Sequence, residues 1–227
     1  MTCATVANRT EPSKVFSKGA SGDTNFYGCG TAFAEAAPIE ASSGKVISPI
    51  SLAHVVFRTA NQQRMINFWA LFLGATVVFQ NDTIAFLRYD DEHHRIAFIA
   101  DPSAQPQLGG SKGAGMHHVA FTFASLADLV QAYKQRKALG VLPTWCVDHG
   151  VTTSMYYTDP DGNQIETQVD NFESPGEATE FMQGAVFAEN PIGTEFDPEE
   201  LDRKIQSGVQ ENVLKTGVEI GPRVSTL

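Results

Sequence analysis

A chain of 227 residues that is 42% apolar and 19% charged has room for one globular domain of medium size, which excludes a disordered polypeptide and a large multidomain assembly. Sixteen basic against 26 acidic residues leave a formal net charge of -10, so nucleic acid and membrane surfaces are not expected partners, and no apolar run approaches the roughly 20 residues of a bilayer span. Cys3, Cys29 and Cys146 are odd in number and form no C-x-x-C pair, and the N-terminus lacks a basic-then-apolar leader; both point to a reducing, cytoplasmic location.

Residues 1–48 are rich in Ala, Ser, Thr and Gly and show little periodicity, so a flexible N-terminal arm is expected. Glu11 and Asp23 argue against reading it as a transit peptide, which should be poor in acids. From Leu52 the texture changes. His54-Val55-Val56-Phe57 is β-rich, and Arg64 to Leu73 follows with Met65, Phe68, Trp69 and Phe72 at helical spacing. Gly74 is placed to cap that helix. Strand-like runs come next at Thr76–Phe79, Thr83–Tyr89 and Arg95–Ala100, then a Pro/Gly-rich connector from Asp101 to Gly115.

A second copy opens 64 residues after the first, at His118-Val119-Ala120-Phe121. Ser125 and Asp128 resemble a capping box, Leu126, Leu129, Val130 and Tyr133 form one helical face, and Gly140 ends the helix. Strands are expected at Thr152–Thr158 and Gln164–Asp170, joined by the turn Asp159-Pro160-Asp161-Gly162-Asn163. The chain is therefore expected to be α+β, with tandem βαβββ modules over about 50–101 and 115–172 and mixed or antiparallel sheets. After Phe172, residues 173–227 form a C-terminal extension. A helix is expected over Glu177 to Ala188, and another from the N-cap Asp197 and Pro198 to about Gly208. Phe181, Phe187 and Phe196 in this tail need a surface to bury against, which points to a lid or a contact in a homo-oligomer.

The six histidines are His54, His93, His94, His117, His118 and His149; none lies in the arm, the helices or the tail. His54 and His118 open equivalent strands, so a pseudo-twofold axis can bring their imidazoles together. Neighbouring strand residues face opposite ways, so register with His54 selects His118 over His117. Glu166, on the last expected strand, completes a two-histidine, one-carboxylate set with open coordination positions. That set suits non-haem Fe(II) oxygenases; zinc and Mn(II) accept the same donors, so the spacing does not name the metal. His94 and His149 add imidazoles able to move protons, and Tyr156 or Tyr157 adds a hydroxyl for a bound oxygen.

Val147-Asp148-His149, five residues, Met155-Tyr156, two residues, Asp159-Pro160-Asp161-Gly162, three residues, Glu166 is similar to the signature of type I extradiol ring-cleavage dioxygenases. These belong to the vicinal oxygen chelate superfamily, whose tandem βαβββ modules this chain resembles over about residues 50–172. His94–Ile99 and Gly115–Phe121 look like the strands that carry that family's acid-base histidine and second metal ligand. The resemblance implies that His54, His118 and Glu166 bind Fe(II), with Mn(II) the lesser candidate. It implies that His94 is the acid-base, and that His149 and Tyr156 hydrogen-bond substrate oxygens. The implied activity is cleavage of a catechol-type ring with O2. Two other readings stand beside it: a glyoxalase- or epimerase-like lyase or isomerase whose metal is only a Lewis acid, and a non-catalytic module that binds an aromatic compound. One departure concerns length, because many members carry two pairs of modules and this chain has one.

Overall fold

The computed structural model describes residues 46–107, 114–217 and 221–223. Apart from residues 46–48, the expected arm lies outside the described residues, as do Cys3 and Cys29. The chain divides after Pro49, and the unit Ile50–Leu227 holds every described helix and strand.

The first module is β1 (Val55–Thr59), α1 (Gln62–Leu73), β2 (Thr76–Gln80), β3 (Ile84–Arg88) and β4 (Ile96–Ala100). The second repeats the order with β5 (His118–Thr122), α2 (Leu126–Ala138), β6 (Trp145–Asp148), β7 (Thr152–Thr158) and β8 (Gln164–Asp170). Helix α1 starts two residues earlier than its apolar spacing indicates, because the Asn61 side chain accepts from the Arg64 N–H, and it closes on Gly74 in the left-handed conformation. Helix α2 is capped by Ser125, whose hydroxyl accepts from the Asp128 N–H at 3.1 Å.

Each module makes one mixed sheet, in the order β1-β4-β3-β2 and β5-β8-β7-β6. The first strand of each pairs parallel with the last, β1 with β4 and β5 with β8, and the remaining pairs are antiparallel. A helical crossover between parallel neighbours is what such a pairing requires. Strand β6 carries no sequence signal, since four residues, Trp-Cys-Val-Asp, are too few to show alternation; its partner β7 defines it.

One core serves both modules. Trp69, Phe72 and Met65 of α1 pack with Leu129 and Tyr133 of α2, and with Phe57, Phe98, Tyr157 and Ile165 from the two sheets. Ring pairs cross the seam, with Trp69 to Phe121 at 5.9 Å and Phe72 to Tyr157 at 5.0 Å between centroids. The buried Arg136 guanidinium stacks 3.8 Å over Phe72 and donates twice to its carbonyl, at 3.0 and 2.8 Å, satisfying an end of α1 that has no intrahelical partner. Trp69 Nε1 donates to the buried Asp159 carboxylate at 3.1 Å, tying α1 to the β7–β8 turn. Replacing Trp69 by Phe keeps most of the apolar volume and removes this donor from a carboxylate that burial already pushes up. The expected cost is about 1–3 kcal/mol, read as a lower urea midpoint with an unchanged slope.

The extension comprises α3 (Pro175–Met182), α4 (Ala185–Glu189), β9 (Thr194–Glu195), α5 (Pro198–Gln206) and α6 (Glu211–Leu214). The single helix expected over Glu177 to Ala188 is in fact two, broken where Gly184 takes an extended conformation as the N-cap of α4. Helix α5 begins as expected at Asp197 and Pro198, buries Leu201 in the core and pairs Asp202 with Lys134 of α2 at 3.0 Å. Strand β9 is too short to read from sequence; it extends the second sheet by pairing with β6. The phenylalanines of the tail find partners inside the chain: Phe181 packs on Phe172 and Phe187, and Phe196 on the core. Cys146 is a free thiol that burial pushes up to about 12, so it stays protonated and unreactive. Among the described residues no helix is long and apolar enough to cross a membrane.

Candidate metal centre

Parallel pairing of β5 with β8 sets Ala120 opposite Glu166, so the two residues share a face of the second sheet, and alternation puts His118 on that face as well. Antiparallel pairing of β7 with β8 brings Tyr156 directly opposite Glu166. The face is the one turned away from the core. There His118 Nε2 lies 3.0 Å from Glu166 Oε2. Glu166 is buried, with 5% of its surface exposed, whereas His118 keeps about a third of its side chain in solvent. Burial pushes the Glu166 carboxyl up, but hydrogen bonding, first by His118 and then by Ser154, with the Tyr156 hydroxyl also in reach, outweighs burial and holds it below the ordinary glutamate value. A carboxylate kept ionised in a buried position is a good ligand for a cation.

Tyr156 links this pair to the loop after β6. His149 Nε2 sits 3.0 Å from the Tyr156 hydroxyl, and His149 Nδ1 sits 2.6 Å from the Ile192 carbonyl. Trp145 flanks both, with ring centroids 5.0 Å from Tyr156 and 5.6 Å from His149. Burial and then the Glu166 charge push the Tyr156 hydroxyl well above its usual range, so it remains a protonated donor. Beyond His149 lies a cavity of about 590 Å³ whose walls include Phe172, Phe181 and Val186 and do not reach Glu166 or His118.

The first module contributes a second cluster. His54 immediately precedes β1 and His94 lies two residues before β4; parallel pairing of those strands stacks the rings at 4.5 Å. Phe86 stacks on the other face of His94, also at 4.5 Å, and Phe79 follows at 5.8 Å. Register continues the surface, because Val56, Ala97 and Phe86 lie side by side across β1, β4 and β3. Val56, Phe79 and Ile99 remain 39–46% exposed, leaving a flat apolar strip beside two imidazoles. Burial, then His54 and His93, hold His94 below the usual imidazole value, and its Nδ1 lies 2.6 Å from that of His93.

The six expected site residues thus fall in two groups. Glu166, His118, Tyr156 and His149 are joined in one connected set, and His54 and His94 form the other. Among the described residues no three His, Cys, Asp or Glu side chains are gathered into a ready-made metal cage. Tyr157, the alternative to Tyr156, points into the core. Sequence reasoning missed Ile192, whose main-chain carbonyl has no signal in residue type, and the Ser154 hydroxyl.

This architecture and donor arrangement define a class. The sequence pattern of the Glyoxalase/Bleomycin resistance protein/Dioxygenase superfamily matches residues 51–167, and the chain belongs to that superfamily. Within it, the chain is 41% identical over 165 residues to "Biphenyl-2,3-diol 1,2-dioxygenase 2" of Rhodococcus globerulus, covering 72% of this chain and 86% of the relative. It is likewise 41% identical to "Biphenyl-2,3-diol 1,2-dioxygenase 3" of the same organism, covering 73% and 87%. Among solved structures, a glyoxalase/dioxygenase from Nostoc punctiforme matches with a TM-score of 0.47 and 16% identity, covering 57% of this chain and 99% of that one.

Proposed function

We propose that this protein is an Fe(II)-dependent extradiol dioxygenase that opens a catechol-type ring with O2. The observation that carries the reading is the buried, ionised Glu166 set against His118, with Tyr156 and His149 beside it on the same side of the sheet. The names of the relatives specify the reaction: a 2,3-diol cut between carbons 1 and 2 is broken beside its hydroxyls, not between them.

The donors suit a divalent ion of borderline softness, with two imidazole nitrogens and one carboxylate oxygen. His118 and Glu166 would supply two arms from adjacent strands, and the exposed His54 would supply the third. Ferrous iron bound there would provide a Lewis acid for the diol oxygens and a path for electrons from ring to O2. The chain's own groups do the rest. The strip formed by Val56, Phe86, Ala97 and Ile99 offers a flat apolar wall for an aromatic ring and keeps water from it. His94, neutral at rest, takes a proton at Nε2 as the diol binds and returns it to oxygen when the ring opens; its Nδ1 is engaged by His93. Tyr156, backed by His149, holds a substrate oxygen by a hydrogen bond.

A Lewis-acid isomerase or lyase of the same superfamily would draw a further carboxylate from the end of the first module. The carboxylate nearest that position, Asp101, is occupied by Ser103, at 2.9 and 2.6 Å, and by Arg58. A cytoplasmic setting, which keeps iron ferrous, belongs to the same proposal. The test is oxygen uptake with a panel of catechols, including biphenyl-2,3-diol, after anaerobic loading with Fe(II), Mn(II) or Zn(II) separately. Uptake with Fe(II), none with Zn(II), and one conjugated ring-opened product per O2 is the expected result. Metal-dependent turnover without oxygen consumption would sink the dioxygenase assignment.

A further inference from the structure

His149 is held from outside the two modules. Its Nδ1 lies 2.6 Å from the Ile192 carbonyl oxygen, in the tail, and its Nε2 lies 3.0 Å from the Tyr156 hydroxyl. A carbonyl has no proton to give, so the first contact is a hydrogen bond only when Nδ1 carries the hydrogen. In a neutral imidazole, that leaves Nε2 bare and facing Tyr156.

The loop that presents Ile192 has little freedom. Gly193 N–H donates to Asn190 Oδ1 at 2.8 Å, and the Gly193 carbonyl accepts from Asn190 Nδ2 at 3.2 Å and from Arg223 Nη1 at 3.0 Å. Gly193 is buried at φ +90°, and a Cβ there would fall 1.9 Å from the Asp148 carbonyl oxygen. The next residue, Thr194, pairs with Asp148, the residue before His149. The backbone is thus pinned on both sides of the contact.

We propose that the Ile192 carbonyl is a positioning group for the site, holding His149 as the Nδ1–H tautomer so that Nε2 accepts the Tyr156 hydroxyl proton. Tyr156 has one such proton and two acceptors, His149 and the Glu166 carboxylate. In the Nδ1–H tautomer the proton goes to His149. Glu166 keeps its lone pairs for a cation, and the phenol oxygen keeps one for a diol O–H. In the other tautomer, Nε2–H donates to the phenol oxygen, and the phenol O–H turns to donate to Glu166. The consequence for turnover rests on the dioxygenase reading; the tautomer does not.

The test is long-range 1H–15N correlation on the full chain labelled with 15N-histidine, purified without metal, near pH 8.5 where imidazole is neutral. His149 is assigned by comparison with His149→Gln. A protonated Nδ1 and bare Nε2 are expected; the reverse pattern, or an even mixture, overturns the proposal. Gly193→Ala should turn the signal into a mixture and, with iron content unchanged, lower kcat about tenfold with little change in KM. A Gly193→Ala protein with the parent tautomer overturns the role of the loop. Should that variant fail to fold, Arg223→Gln loosens the same loop from outside and should move the signal the same way by a smaller amount; an unmoved signal again overturns it. If the parent shows the expected tautomer yet no diol consumes oxygen, the positioning inference stands and the functional reading falls.

Discussion

Replacing Glu166 by glutamine is expected to abolish metal capture and ring cleavage while leaving the fold intact. Loss of an outer hydrogen bond to a metal ligand costs roughly 10–100-fold in affinity, and removing the sole anionic donor should exceed that. Metal content after dialysis and oxygen uptake with a catechol check both parts. The amide is nearly isosteric, so the strand pairing of Glu166 with Tyr156 and Ala120 is undisturbed. Stability should change by no more than about 1 kcal/mol, because the variant sheds a buried charge along with its hydrogen bonds. A Glu166→Gln protein that holds Fe(II) as tightly as the parent would remove this carboxylate from the ligand set.

Replacing His94 by phenylalanine is expected to leave iron bound and to lower kcat by about 10²–10⁴-fold, the usual contribution of a positioned acid-base. The site tolerates the change because His94 is already sandwiched between the rings of Phe86 and His54. Phenylalanine preserves that stacking and removes only the proton carrier. Iron content equal to the parent together with normal turnover would end the acid-base assignment. Loss of iron would instead make His94 a ligand and displace His54 from that role.

The repeated order of strand, helix and strands was readable because each element carries its own period or cap. Trp69 and Phe72 recur at helical spacing and are fully buried, and Ser125 and Asp197 cap helices where their residue types lead one to expect it. Strand β6, the two-residue β9 and the four-residue α6 were not readable, since each is shorter than the period that would reveal it. The break between α3 and α4 lies at Gly184, a residue type that continues a helix at modest cost and so marks no certain boundary.

The candidate site divides along the same line. Repeat register singled out His118, residue type offered Glu166 and His149 and left Tyr156 and Tyr157 open, and the family resemblance chose Tyr156; all four offer side-chain atoms at motif spacing. Which of them touch was decided only by strand pairing: parallel β5–β8 and antiparallel β7–β8 set Glu166 between His118 and Tyr156. Pairing of β1 with β4 likewise stacked His54 on His94. The Ile192 carbonyl was beyond any reading of residue types, because every residue carries the same main-chain oxygen. Only the path of the tail, bent at Gly193 and fastened to the edge of β6, aims that oxygen at an imidazole.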